Sequence, residues 1–463
     1  MRRTLFIFAC ALIGLLARAG AQSPAASPAP ADAEIRKILA QRIDSGQSVG
    51  IVVGVIEPSG RRVVASGSLE KGDPRPLNGD TVFEIGSVTK VFTALLLADM
   101  AEHGEVALTD PVQKYLPADV KMPQRSDRAI TLEDLATHTS GLPRLPNNLK
   151  PKDLANPYAD YSVEQLYQFL SRYQLTRDIG EKYEYSNLGD GLLGLVLARR
   201  AGMDYETLVR KRISQPLDMK STSITLTPEL KSRLAVGHDQ AMEAVPNWTF
   251  PALAGAGALR SSAHDMLNFL AAALGYTPSP LAPAMASMLK VRRPTGVPGL
   301  EISLGWHLLT RNGRQIIWHN GGTGGYRSFL GYDPESRVGV VVLSNAETTV
   351  GVDDIGMHLL DPLIPLREPP KQHKQVAVDP KLFAGYVGRY QLAPTFILTV
   401  TQEDGHLFVQ ATGQPKFEVF PEGERDYFYK VVDAQITFET DTQGRATALV
   451  LRQAGMDRRA PRL

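Results

Sequence analysis

Strand-like runs stand at the two ends of the first 365 residues and almost nowhere between. Residues 51–56 and 61–65, joined at Pro58-Ser59-Gly60, read as a hairpin. Three more runs come far downstream, at 315–318, 326–332 and 338–344, the last two split by the turn Asp333-Pro334-Glu335-Ser336. A two-stranded hairpin alone is marginal in water, so both ends are expected to share one antiparallel sheet. The chain must then leave that sheet and return to it. The stretch between, about 90 to 300, is mostly helical in pattern and becomes a second lobe. Helices at 32–43 and 352–360, the second stopping ahead of Pro362, are assigned to one face of the sheet. The expected class is α+β, an antiparallel sheet covered by helices with a largely helical lobe beside it. A cleft between sheet edge and lobe is a preferred place for a pocket.

The helix that follows the first hairpin opens on a serine. Ser87 stands in Phe83-Glu84-Ile85-Gly86-Ser87-Val88-Thr89-Lys90. Apolar residues follow at Val88, Val91, Phe92, Leu95, Leu96 and Met100, the spacing of a helix with one buried face, ended near Gly104. A hydroxyl in the first turn lies among unpaired backbone N–H groups at the positive end of the helix dipole. Lys90, three positions on, shares its side. A buried lysine loses its proton readily, so the two can act as nucleophile and base. A capping serine beside a surface lysine gives the same pattern, and S-x-x-K recurs at Ser68/Lys71 and Ser287/Lys290. Those two fall in a polar turn-like stretch and on a solvated helix surface. Ser87 differs in heading a largely apolar helix and in having two companions downstream.

The first companion is Tyr185-Ser186-Asn187, the only Y-x-N in the chain, ahead of an apolar helix at 192–201. It reads either as a buried ring with an asparagine cap or as a phenol within reach of the Ser87 hydroxyl. In the second case Lys90 labilises the phenol, and Asn187 offers its amide to a substrate carbonyl or to Lys90. The second companion is His319-Asn320-Gly321-Gly322-Thr323-Gly324-Gly325, between the runs at 315–318 and 326–332 and so at an antiparallel edge. Glycines there let a substrate backbone approach a strand and leave N–H groups free to face an oxyanion; a flexible turn is the plainer reading. No Gly-Lys-Ser/Thr follows, so it is no phosphate loop. Gly46-Gln47-Ser48-Val49-Gly50 matches G-x-S-x-G, but a helix precedes it and a strand follows, the reverse of a nucleophile elbow. Ser48 is set aside.

Taken in order, Ser87/Lys90, Tyr185/Asn187 and His319/Gly321 resemble the motifs of the serine hydrolases built like class C β-lactamases and low-molecular-weight penicillin-binding D,D-peptidases. Asp110-Pro111, His138-Thr139-Ser140-Gly141-Leu142-Pro143, Pro216-Leu217-Asp218-Met219 and the stretch 257–265 look like the same family, and the resemblance spans about 32 to 365. It implies a β-lactamase/transpeptidase-like fold and an acyl-enzyme on Ser87. Lys90 and Tyr185 would be its catalytic partners, with Asn187, His319, Gly321, Gly322 and Thr323 orienting the substrate. The backbone N–H groups of Ser87 and, by family position, Gly322 would hold the oxyanion. In the mechanism expected, Lys90 lowers the Tyr185 phenol, which takes the Ser87 proton, and His319 orients Tyr185 or the substrate's acidic end. The substrate would be a small molecule or peptide: a β-lactam, a peptidoglycan stem peptide or an ester. A penicillin-binding receptor that stays acylated is the rival reading. Two departures stand out. Thr89 replaces the Ser or Ala usual before the motif lysine, and His319 replaces lysine, as in the esterase and peptidase branches. An ordinary histidine is mostly neutral at pH 7, a weaker anchor for a carboxylate, which counts against efficient penicillin hydrolysis.

Composition fits an exported enzyme. Met1-Arg2-Arg3, an apolar run at 5–16 and Ala19-Gly20-Ala21 read as a signal peptide cut before Gln22, giving a periplasmic or secreted protein with no stable membrane insertion. The one cysteine, Cys10, lies inside that leader, so disulfides, cysteine catalysis and cysteine-held zinc are excluded from the mature chain. Nine histidines show no H-x-x-x-H pair, and no metal or other cofactor is expected. A net charge of +1 with mixed signs points away from nucleic acid. Residues 22–31 read as a loose tether, 32–365 as the hydrolase domain and 366–379 as a linker. From 380 to 463 short alternating strands suggest a small antiparallel barrel, similar to the lipocalin-like domain appended to some members of the family.

Overall fold

The computed structural model describes residues 29–367, 373–393, 396–430, 432, 434–453 and 456–463. The expected leader at 1–21 and most of the tether lie outside them. The two ends of the catalytic region do share one sheet. Its strands are β1 (Gly50–Glu57), β2 (Gly60–Gly67), β3 (Arg293–Pro294), β4 (Leu300–Ile302), β5 (His307–Arg311), β6 (Arg314–Gly322), β7 (Arg327–Asp333) and β8 (Val338–Ser344). Their order is β2-β1-β8-β7-β6-β5-β4-β3, antiparallel throughout. The first hairpin returns to the last strand with Val53 opposite Val342 and Val55 opposite Val340.

All seven residues of β8 are buried, because both faces of the sheet are covered. On one face α1 (Asp32–Asp44) and the late helix α5 (Asp353–Leu360) pack Ile35, Leu39, Ile355 and Leu359 onto Val53, Val55, Val340 and Val342. On the other, α4 (Ala263–Ala273) sets Leu267 and Leu270 against Val52, Val341 and Leu343. That second cluster continues without a break into the helical lobe, through α2 (Thr89–Glu102) and α3 (Asn187–Ala201). Residues 89–100 of α2 are all buried, so it is a central helix enclosed on every side, where sequence periodicity suggested one buried face.

Two further expectations change. The run at 315–318 extends to Gly322, because the paired backbone continues past His319. Strands β3 to β5, too short or too polar to read in advance, add to its far side, so β6 is interior and not an edge. Its pairing with β5 stops at Trp318 opposite His307, however, and residues 319–322 overhang. Ser48 bonds through its hydroxyl to Ser344 Oγ at 2.8 Å and Gly50 O at 3.0 Å, a strand-end contact inside the sheet.

The C-terminal part is an eight-stranded antiparallel meander: β9 (Gly388–Ala393), β10 (Phe396–Glu403), β11 (His406–Ala411), β12 (Lys416–Pro421), β13 (Asp426–Phe428), β14 (Ala434–Thr440), β15 (Ala446–Gln453) and β16 (Met456–Pro461). First and last strands meet through a Tyr390–Arg462 bridge and a Leu463 N–H to Arg389 O bond of 2.8 Å, which nearly closes a barrel. Among the described residues no helix is long and apolar enough to cross a membrane, and no group of three or more metal-ligating side chains occurs.

One buried ion pair ties the ends of the sheet's outer layer. Arg42 on α1 meets Asp354 on α5, both almost without solvent, and Arg42 Nη1 also donates to Gln47 Oε1 at 3.0 Å. Removing one partner strands the other charge in the interior. Asp354→Ala is therefore expected to cost about 3–5 kcal/mol, read as loss of the catalytic region's denaturant midpoint; a loss below about 1 kcal/mol would contradict the assignment.

Candidate active site

Ser87 sits in a tight 3-10 turn, Gly86–Val88, directly ahead of α2, and faces a cleft of about 970 Å³ between the sheet and the lobe. Gly86 takes φ +48°, a conformation that disfavours side chains, and a Cβ there would lie 2.7 Å from Gly322 N. A Cβ on Gly321 would lie 2.0 Å from Ile85 O. Both glycines are thus required for the overhang of β6 to press against the serine turn. Ser328 Oγ, from β7, donates to Ile85 O at 2.8 Å and pins the same turn.

The register of β6 decides which backbone groups face the cleft. Thr323 N–H bonds Tyr326 O at 3.1 Å, so by the alternation of an antiparallel ladder 319, 321 and 323 spend their backbone groups on β7. Asn320 and Gly322 point the other way, where β5 has already ended. The Gly322 N–H is left beside the Ser87 turn as a free donor, the arrangement an oxyanion needs.

Lys90 lies beneath the serine and is fully buried. Its Nζ is 2.9 Å from Ser87 Oγ, 2.9 Å from Asn187 Oδ1 and 2.7 Å from the carbonyl of Ala256. Burial pushes Lys90 down to about 8; buried Asp190 pulls it up and Arg144 adds to the fall. About a tenth of the amine is then neutral at pH 7. The Asn187 amide is committed at both ends, since its Nδ2 donates to Tyr158 Oη at 3.0 Å. Of the two uses expected for it, the contact to Lys90 is present, and the second Nδ2 hydrogen is left for the cleft that Asn187 lines.

Tyr185 is half-buried in the wall of the cleft, with Lys90 Nζ 4.9 Å from its ring centroid. Burial drives its phenol up, opposed by the hydrogen bond with Ser87. The expected lowering by Lys90 does not occur, because the loss of water outweighs the Ser87 hydrogen bond and the Arg144 charge that oppose it. Tyr185 is a protonated phenol against the nucleophile and not a standing base.

His319 changes more. It is wholly buried, its Nδ1 lies 2.6 Å from Asn320 O, and burial, His307 and Lys90 hold it well below the usual histidine range. It is a neutral wall beside Tyr185, their ring centroids 6.2 Å apart, and cannot present a cation to a substrate. Among the cations at the cleft that sequence reasoning missed, Arg144, with Arg327 and Arg367 on the same lining, is exposed with its guanidinium carbon 5.1 Å from the Tyr185 centroid. Arg144 directly follows the Gly141-Leu142-Pro143 phrase, a signal that was available. Tyr158 and the Ala256 carbonyl carried none. Thr323 lines the same cleft. The two other S-x-x-K serines stay out of it: Ser287 Oγ bonds Ala284 O at 2.9 Å on its own helix, and Ser68 lies just past β2.

Two outcomes follow. With Lys90 as the group that must be neutral, kcat/KM against a p-nitrophenyl ester rises with pH through an apparent pKa near 8 and falls away below it; a profile flat from pH 6 to 9 contradicts that role. Gly321→Ala, which forces the strand off Ile85, is expected to cost about 10²-fold in kcat/KM through misplacement of the serine turn. Activity within threefold of wild type would show that the close approach is dispensable.

The chain is similar to known proteins over most of its length. The D-alanyl-D-alanine-carboxypeptidase/endopeptidase AmpH of Escherichia coli (strain K12) is 29% identical over 357 residues, 74% of this chain and 91% of that protein. Penicillin-binding protein 4* of Bacillus subtilis (strain 168) is 26% identical over 423 residues, 86% of this chain and 91% of its own. The crystal structure of a β-lactamase/D-alanine carboxypeptidase from Yersinia pestis, complexed with citrate, superposes with a TM-score of 0.63 at 27% identity, covering 72% of this chain and 98% of that one. Residues 372–460 match a domain of unknown function (DUF3471). Residues 35–360 match the family described as Beta-lactamase, and the chain belongs to that family.

Proposed function

We propose that this protein is a serine hydrolase that forms an acyl-enzyme on Ser87 and cleaves an amide or lactam bond, in the manner of D-alanyl-D-alanine carboxypeptidase/endopeptidases and β-lactamases. The observation that carries the reading is the 2.9 Å contact between the Lys90 amine, its pKa lowered by burial, and Ser87 Oγ, beside the free Gly322 N–H. Ser87 Oγ attacks the carbonyl carbon while its proton passes to Lys90. The N–H groups of Ser87 and Gly322 hold the oxyanion, each such donor typically worth about 3–4 kcal/mol. As the tetrahedral adduct collapses, Tyr185 gives its proton to the leaving nitrogen and recovers one from Lys90. Water then attacks the ester with the same pair taking its proton, and Ser87 leaves with one restored.

The neutral His319, which offers no cation to a substrate carboxylate at that position, supports the peptidase and esterase side of the family over efficient penicillin hydrolysis. The leader read at residues 1–21 supports action outside the cytoplasm. Esterase activity uses the same residues with an alkoxide as leaving group and is the nearest alternative.

Ser87→Ala is expected to abolish turnover and covalent labelling by a fluorescent penicillin or a fluorophosphonate, with an unchanged thermal midpoint. Persistent labelling of that variant would overturn the assignment. A panel of nitrocefin, a D-Ala-D-Ala peptide, a D-amino-acid amide and p-nitrophenyl butyrate ranks the acyl donors. Mass spectrometry after a substrate pulse separates turnover, which returns free enzyme, from a receptor that keeps its adduct.

A further inference from the structure

The C-terminal barrel is filled at one end and open at the other. At the filled end Tyr386 stacks on Phe438 with centroids 4.4 Å apart, Tyr390 and Tyr427 pack beside them, and the Tyr390 hydroxyl donates to Tyr386 O at 2.6 Å. At the other end the inward side chains do not meet. They enclose about 580 Å³, a size typical of small-molecule sites, walled by apolar residues such as Phe396, Ala411, Phe417 and Leu451. Closely packed interiors leave few such spaces.

The pleat of β16 places a charge at the exposed mouth of that space. Asp457 and Arg459 face outward, paired with Arg452 at 3.2 Å and Glu439 at 2.7 Å. Ala460 is fully buried, so the opposite parity, with Met456 and Arg458, faces the lumen. The cross-strand partners agree: Ala460 lies opposite Leu449 and Arg458 opposite Leu451, both leucines belonging to the barrel core. Arg458 has no carboxylate partner among the described residues; the contact found for it is Met456 Sδ at 3.9 Å. Tyr429 lines the same space, and burial keeps its phenol protonated, a further donor. A largely apolar chamber with one guanidinium, one phenol and the Gln414 and Gln453 amides at its wall is matched to a ligand with a hydrocarbon body and an anionic end.

We propose that the open half of the barrel is a binding site for a long-chain carboxylate, its alkyl chain inside the lumen and its carboxylate on Arg458. The site is separate from the Ser87 cleft in both residues and chemistry.

The test is titration of the full-length protein with cis-parinaric acid, a fluorescent polyene carboxylate. Saturable binding is expected, reversed by dodecanoate and much less by dodecanol. Ala411→Trp, which fills the lumen, should abolish it. Arg458→Gln, at the mouth and away from the packed core, should weaken it about tenfold or more while leaving the thermal midpoint and Ser87 labelling unchanged. Failure to bind, or binding indifferent to Ala411→Trp, would overturn the site. Binding indifferent to Arg458→Gln, or equal displacement by dodecanol and dodecanoate, would overturn the carboxylate assignment; this arm stands even if the tryptophan variant does not fold.

Discussion

A lysine amine enclosed in the middle of the protein is the condition on which the rest of this structure depends. The fall of Lys90 from 10.5 to about 8 is worth about 3 kcal/mol against its charged form. Three oxygens, from Ser87, Asn187 and Ala256, accept from it and make that position tolerable. They come from the serine turn, from the start of α3 and from a turn ahead of α4, so the acceptors can converge only when the whole lobe has closed around α2. This explains why α2 is enclosed on all sides. A helix with a solvated face would hold Lys90 at an ordinary lysine value, and the serine would lose its base.

The second constraint is steric. The sheet must bring a backbone donor to the serine without bringing a side chain. Gly321 and Gly86 meet that need on the two sides of the contact, and the early end of β5 leaves the Gly322 N–H unspent. A complete sheet would have paired that group, and a longer β5 would have closed the cleft. The site exists because one strand outruns its neighbour by four residues.

The legibility of these features in the sequence followed their range. Ser87 lies in the 3-10 turn that runs straight into α2 and Lys90 in the first turn of α2, so their meeting is a consequence of local helical geometry, and the hairpin at Pro58-Ser59 is equally local. The burial of α2 on every side, the interior place of β6 and the protonated state of Tyr185 all depend on what packs against them from distant parts of the chain. His319 illustrates the limit. Its spacing brings it beside Tyr185, but the expectation that it steers an acidic group assumed contact with water, and its burial beside His307 and Lys90 removes the charge.

The amino-acid sequence by itself determined the order of the three motifs, the return of the late strands to the first hairpin, and the small β domain after the proline-rich linker. These rest on periodicity, turn residues and spacing, which act over a few residues. The tertiary structure alone decided the protonation of Lys90, Tyr185 and His319, the placing of Arg144 beside Tyr185 at the cleft, and the side of its strand that Arg458 takes. Charge state and access depend on how much water remains around a group, and that is set by neighbours brought together across hundreds of residues of chain.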